Sequence, residues 1–268
     1  MIEITKSKVG LVKLDIHLQE KVEQYVGAID SAVPLEEQGC TSEVRRIVAA
    51  NGTYILKSAF KQKYREWLKA EAKVLENMNQ QRDIPLPKYV GFIEEKDSSH
   101  LMMSDEPGIT LTAALRNSSS TLVKHELVRS FGNMLNCLHE KHRKELPQGE
   151  TDWLARQLAI AKRYVDHGLT SGEIQLLKHL EENRPKTVQQ TMIHGDCTTG
   201  NVLVIDSEVR MFIDVAGMID GDPRYDESLA IGAFREDPAC LDAFYEGYSR
   251  YRVTEEEYQY FNGLYEFF

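Results

Sequence analysis

The chain has 268 residues, enough for two modest lobes, each with its own core. A hydrophobic share of 42%, a charged share of 28% and a net charge of −10 fit a globular protein whose acidic balance argues against a nucleic acid partner and tolerates a cationic one. Four scattered cysteines (Cys40, Cys137, Cys197, Cys240) make no C-x-x-C, so neither zinc nor a disulfide framework is indicated. The opening MIEITKSKVGLVKLD is charged throughout, and no run approaches the roughly 18 apolar residues of a membrane helix. A cytoplasmic protein without a membrane partner is expected.

Residues 14–29 have a rough helical period that Pro34 breaks. VRRIVAA and TYILKSAF then flank Asn51-Gly52, a strong hairpin signal. Just before them, GCTS at 39–42 reads as a polar turn. Backbone N–H groups near Thr41 and Ser42 could cover phosphates there, although one glycine before a strand is more often only a turn. Lys57 shares a strand face with Ile55 and Ala59, and an inward lysine needs a partner or a ligand. The next segment, KQKYREWLKAEAKVLENMNQ, supplies one. Its apolar stripe is Tyr64, Trp67, Leu68, Val74, Leu75 and Met78, with Glu71 in the middle.

IPLP at 84–87 ends that helix, and YVGFIEE and HLMMSDE read as a further strand pair. DEPG at 105–108 then divides a β-rich N-terminal lobe, 1–104, from a mainly helical C-terminal lobe, 105–268. The fold class is α+β. Residues 121–142 form an amphipathic helix with Leu127, Phe131, Leu135 and Leu138 on one face, and His139 and His142 near its end read as capping or surface groups. A second helix covers 152–167, and Thr170-x-x-Glu173 suggests a capping box for a third. Late in the chain, GDPRYDESLAIGAF gives a turn and a helix from about Asp226. Another helix follows at 238–251, and one capped by Thr254-x-x-Glu257 runs to Phe268.

The stretch 191–214, TMIHGDCTTGNVLVIDSEVRMFID, organises the rest. VLVI and VRMFI flank a polar turn and read as a hairpin, so Asn201 entering it and Asp214 leaving it share one open end. Asp196 sits on the loop beside them. An amide and a carboxylate meeting at one point are hard oxygen ligands of the kind Mg²⁺ takes, with a second carboxylate left for a substrate hydroxyl. That is the layout of a phosphoryl-transfer site. H-x-D alone is common by chance, and Asn or Asp at strand ends usually only makes turns. The full H-G-D-x4-N-hairpin-D pattern is far rarer.

Lys57 on its strand, Glu71 on the next helix, HLMMSDEPG, HGDCTTGN and FID together resemble the aminoglycoside phosphotransferases. These are part of a wider group with choline, homoserine and methylthioribose kinases, all of a bilobal protein-kinase-like fold. The likeness covers nearly the whole chain, and EYQYFNGLYEFF is similar to the terminal helix of the 3′-type enzymes. It implies ATP or GTP as donor and Mg²⁺ as cofactor. Lys57, held by Glu71, would meet the α- and β-phosphates, and the backbone of Ser104 and Glu106 would meet the adenine edge. Asp196 would orient the attacking hydroxyl, Asn201 and Asp214 would hold Mg²⁺, and Asp226 would brace the loop. Glu266 and the Phe268 carboxylate would line the acceptor site.

Departures from protein kinases narrow the partner. H-G-D replaces H-R-D, Asp214-Val215-Ala216 replaces D-F-G, and a helix is expected almost at once after Asp214, which leaves no platform for a protein substrate. Gly217 stands where the 3′-type enzymes carry an arginine. A small, hydroxylated, cationic acceptor is implied, with an aminoglycoside first. A metabolic kinase for choline, a sugar or an amino alcohol is the near alternative. A catalytically silent nucleotide-binding protein is disfavoured, because Lys57, Glu71, Asp196, Asn201 and Asp214 are all present.

Overall fold

The computed structural model describes residues 14–36, 38–78, 84–141 and 152–268. Contacts divide the chain into two units, Met1–Gln80 with Pro87–Glu106, and Gln81–Leu86 with Pro107–Phe268.

In the first unit, helix α1 (Ile16–Val26) is capped by Asp15, whose carboxylate accepts from His17 N at 3.0 Å and Leu18 N at 3.4 Å. Strands β1 (Ile29–Pro34), β2 (Glu43–Ala49) and β3 (Gly52–Ala59) are followed by helix α2 (Gln62–Met78), then β4 (Tyr89–Glu94) and β5 (Ser99–Ser104). The strands form one antiparallel sheet in the order β1-β2-β3-β5-β4. Ala49 pairs with Gly52, so the hairpin turns at Ala50-Asn51, one residue before the Asn-Gly signal. Every residue of β3 from Leu56 to Ala59 is buried, because both faces of the sheet are covered. Leu56 and Met102 pack with Val22 and Val26 of α1, while Lys57, on the opposite face, meets α2. Helix α2 buries Leu68, Glu71, Ala72, Leu75 and Met78; Tyr64, Trp67 and Val74 are only half-buried.

The second unit runs through β6 (Ile109–Thr110), α3 (Leu111–Asn117), α4 (Thr121–His139), α5 (Trp153–Asp166) and α6 (Ile174–Glu182). It continues with β7 (Thr191–Ile193), β8 (Val202–Ile205), β9 (Glu208–Phe212), β10 (Ile219–Gly221), α7 (Pro223–Ile231), α8 (Pro238–Gly247) and α9 (Glu255–Tyr265). Leu127, Phe131, Leu135 and Leu138 of α4 are all buried. A core of Trp153, Leu158, Leu177, Phe261, Leu264 and Phe267 joins α5, α6 and α9. Strands β8 and β9 make the expected hairpin, with β6 added to it; Asp206 and Ser207 at the turn take φ of 51° and 66°.

Several details differ from the sequence reading. Thr170 does not cap α6, which starts too far along the chain and has Glu173 as N-cap with no side-chain bond. Its hydroxyl instead accepts from Gly172 N and donates to the Glu266 carbonyl. Helix α7 begins at Pro223, three residues before Asp226, because Asp222 caps it and proline is pre-set for the first turn. Helix α8 stops at Gly247, since Tyr248 turns extended, and α9 stops at Tyr265. The segment after Asp214 is not immediately helical: β10 intervenes and pairs with β7. His142 lies outside the described residues.

Candidate active site

Strand β7 delivers the chain to His194, whose ring is fully buried and fixed from both sides. Its Nε2 donates to the Ile213 carbonyl at 2.9 Å and its Nδ1 accepts from Asp196 N at 3.2 Å. One imidazole thus ties the loop to the strand that ends before Asp214. The turn from His194 to Asp196 passes through Gly195 at φ 83°, where a Cβ would lie 2.4 Å from the Gly217 carbonyl oxygen. Gly217 packs closely on the same turn, since its own Cβ would lie 3.0 Å from Gly195 Cα.

Asp226 braces the same loop. Its carboxylate accepts from His194 N at 2.5 Å and Gly195 N at 2.8 Å, and faces His139 Nε2 at 3.3 Å. His139 is fully buried and its Nδ1 meets the Tyr248 hydroxyl at 2.9 Å, so the expectation of a capping or surface histidine is corrected. A hydrogen-bonded line from Tyr248 through His139 to Asp226 supports the loop from behind. Cys197, beside Asp196, is fully buried; burial pushes its thiol pKa well up, which leaves it no nucleophilic role.

Asp196 itself receives two donors. Asn201 Nδ2 donates to its Oδ2 at 2.7 Å and also to its backbone carbonyl at 2.8 Å. Because both partners are acceptors, they fix the amide orientation and leave Asn201 Oδ1 turned away from them. The Tyr265 hydroxyl donates to Asp196 Oδ1 at 2.8 Å. Burial raises the Asp196 pKa to about 6; the nearby Asp214 carboxylate adds to the rise, and the Tyr265 and Asn201 bonds oppose it. Asp214 stands at φ 61°, an αL conformation rare outside glycine, just after Ile213, whose N–H donates to the Asn201 carbonyl at 2.9 Å. Asn201 and Asp214 are thus tied together by backbone as well as by the hairpin.

In the β-rich unit, Lys57 Nζ meets both oxygens of Glu71 at 2.7 and 3.0 Å, and both residues are buried. The turn holding Thr41 and Ser42 is braced by Gln38, whose amide bonds the Leu35 and Val44 carbonyls and Val44 N. Ser104 donates its N–H to the Lys88 carbonyl and its hydroxyl to Glu106. Any backbone contribution of Ser104 to a ligand would therefore come from its carbonyl.

The model of the phosphotransferase enzyme family matches residues 34–261. The chain belongs to this family. It is 26% identical over 221 residues to the aminoglycoside 3′-phosphotransferase of Streptomyces fradiae, covering 75% of this chain and 80% of that protein. Its fold matches the crystal structure of a type VIII aminoglycoside-3′-phosphotransferase at a TM-score of 0.75 with 23% identity, over 95% of this chain and all of that one. The aminoglycoside phosphotransferase APH(3″)-Id of Streptomyces rimosus, solved with ADP and streptomycin, matches at 0.72 with 18% identity, over 95% and 99% of the two chains. A putative fructosamine-3-kinase from Haemophilus somnus matches at 0.61 with 17% identity, over 92% and 87%. An α+β, kinase-like phosphotransferase fold is thereby shown.

Within this phosphotransferase, the residue of α9 that reaches Asp196 is Tyr265, which the sequence reading passed over. The signal was its place on the buried stripe of α9, one turn after Phe261. Glu266 is exposed, and the Phe268 ring packs edge-on to Tyr164 at 5.9 Å. Arg224 was also missed. It is buried, forked onto Asp222 at 3.0 and 2.7 Å, and bonded to Glu257 at 2.5 Å, which fixes the start of α7 and so the position of Asp226.

Proposed function

We propose that this phosphotransferase moves the terminal phosphoryl group of ATP or GTP to a hydroxyl of a small, cationic molecule. The observation that carries the reading is the Asp196 carboxylate, half-buried, hydrogen-bonded on both oxygens and tied through Asn201 to Ile213, the residue before Asp214. Asp196 orients the acceptor hydroxyl and takes its proton as oxygen bonds to phosphorus and the nucleoside diphosphate leaves. Lys57, steadied by Glu71, meets the α- and β-phosphates. The Thr41–Ser42 turn covers them, and the Ser104 carbonyl and Glu106 backbone read the purine edge. Glu266, which follows Tyr265 in the chain, faces the acceptor.

A divalent cation fits the donor set. No group of three or more His, Cys, Asp or Glu suited to a metal occurs among the described residues. Mg²⁺ would take Asn201 Oδ1 and Asp214 and complete its shell with phosphate and water, its usual habit. When bound it neutralises charge on the phosphates. An aminoglycoside is the first acceptor class, supported by the Streptomyces fradiae relative, and the shared fold of the fructosamine kinase supports a sugar-like metabolic acceptor as second reading.

A nucleotide-consumption screen over aminoglycosides, macrolides, choline and small sugars tests the reading. Asp196→Ala should abolish turnover of the acceptor found while changing nucleotide affinity by no more than a few-fold. Because the base must be ionised, kcat/KM of the wild type should fall below about pH 6. Near wild-type turnover in the variant would remove Asp196 from the mechanism.

A further inference from the structure

Tyr265 ends α9, and its hydroxyl donates to Oδ1 of Asp196 at 2.8 Å while Asn201 holds Oδ2 at 2.7 Å. A carboxylate at the end of a short side chain turns about two torsions, and one donor leaves its head free to swing. Donors on different oxygens fix its plane. The two come from separate elements, Asn201 from the loop itself and Tyr265 from 69 positions further on. The phenol is in turn held in place. Its ring lies 6.5 Å from that of the buried Tyr225, and the chain just beyond it is anchored by fully buried Phe267 and by the Thr170 hydroxyl on the Glu266 carbonyl at 3.2 Å.

We propose that Tyr265 is a positioning residue for phosphoryl transfer, its hydroxyl clamping Oδ1 of Asp196 so that the second lone pair of that oxygen faces the acceptor hydroxyl. This rests on the reading of Asp196 as the base that takes the acceptor proton. Each carboxylate oxygen accepts two hydrogen bonds, so the clamp leaves room for the substrate. Small misplacements of a reacting group cost large factors in rate, and a support of this kind acts on the chemical step and not on nucleotide binding.

Tyr265→Phe keeps the ring and its packing and removes only the hydroxyl. The expected result is a fall in kcat of about tenfold or more, with nucleotide KM and melting temperature unchanged. Tyrosine labelled with ¹³C at Cζ gives a readout that needs no acceptor. Tyr265→Phe assigns the signal, and Asp196→Asn should shift it by altering the partner of the hydroxyl. An unmoved signal overturns the clamp, and so does wild-type kcat in Tyr265→Phe. Should the wild type phosphorylate no acceptor, the kinase reading fails by itself, and the Cζ signal still decides whether the clamp exists.

Discussion

Glu227 follows the loop-bracing Asp226 on α7 and is also fully buried. Oε1 of Glu227 accepts from Tyr245 and from Val253 N, both at 2.8 Å, while its Oε2 is buried without a hydrogen-bond partner. Burial raises its pKa from 4.5 to about 7. The sign follows from linkage. Between these values the unfolded chain has released the proton and the folded chain keeps it, so stability declines as pH rises through that window. The span is worth about 3 kcal/mol. Melting temperature should therefore drop by several degrees more from pH 5 to pH 8 in the wild type than in Glu227→Gln, which cannot ionise. Parallel curves for the two proteins would refute the assignment.

At the scale of elements, the contact between α4 and α8 depends on two glycines, Gly132, where a Cβ would lie 2.3 Å from the Phe244 carbonyl oxygen, and Gly247. A Cβ at Gly247 would lie 2.2 Å from the Arg129 carbonyl oxygen and 2.7 Å from Asn133 N, backbone atoms that cannot turn aside. Gly247→Ala must push the helices apart, at a cost of about 2 kcal/mol or more, read as a lower urea midpoint with unchanged slope. Turnover should drop too, because His139 on α4 and Tyr248 just after α8 jointly support Asp226. None of this was visible in the sequence. The stripe of α4 announced a buried face through Leu127, Phe131, Leu135 and Leu138, but nothing in it says how near the facing backbone comes. Strand β10 was equally hidden, since three residues, Ile-Asp-Gly, carry no period. What could be read was local chemistry. Asn-Gly marked the β2–β3 hairpin to within one residue, and Thr254 with Glu257 forms the capping box expected of it. Thr170 and Glu173 had the same spelling and failed, because a cap works only at the residue that starts the helix.

Over the whole molecule, legibility followed distance along the chain. Asp196, Asn201 and Asp214 fall within one short stretch, so hairpin geometry alone placed them together. Lys57 and Glu71 are separated by one turn and could be matched by burial and charge. Tyr265 reaches Asp196 from the far end of the second unit, and only the tertiary structure shows that it, and not Glu266, makes that contact. The last residues accordingly divide into two roles with separable outcomes. Phe267 is fully buried in the core that joins α5, α6 and α9, and a Cβ on Gly172 would come within 2.5 Å of its ring. Phe267→Ala should cost about 3–5 kcal/mol of stability and lower every activity together. Glu266 is exposed, and the bond it accepts from Thr170 uses its backbone carbonyl, so Glu266→Ala leaves that anchor intact. If its carboxylate faces the acceptor, Glu266→Ala should raise KM for a cationic substrate about tenfold, the loss of one charge-assisted hydrogen bond, with melting temperature and nucleotide KM unchanged. Wild-type KM in that variant would show that the terminal segment acts on the acceptor only through Tyr265 and the core beneath it.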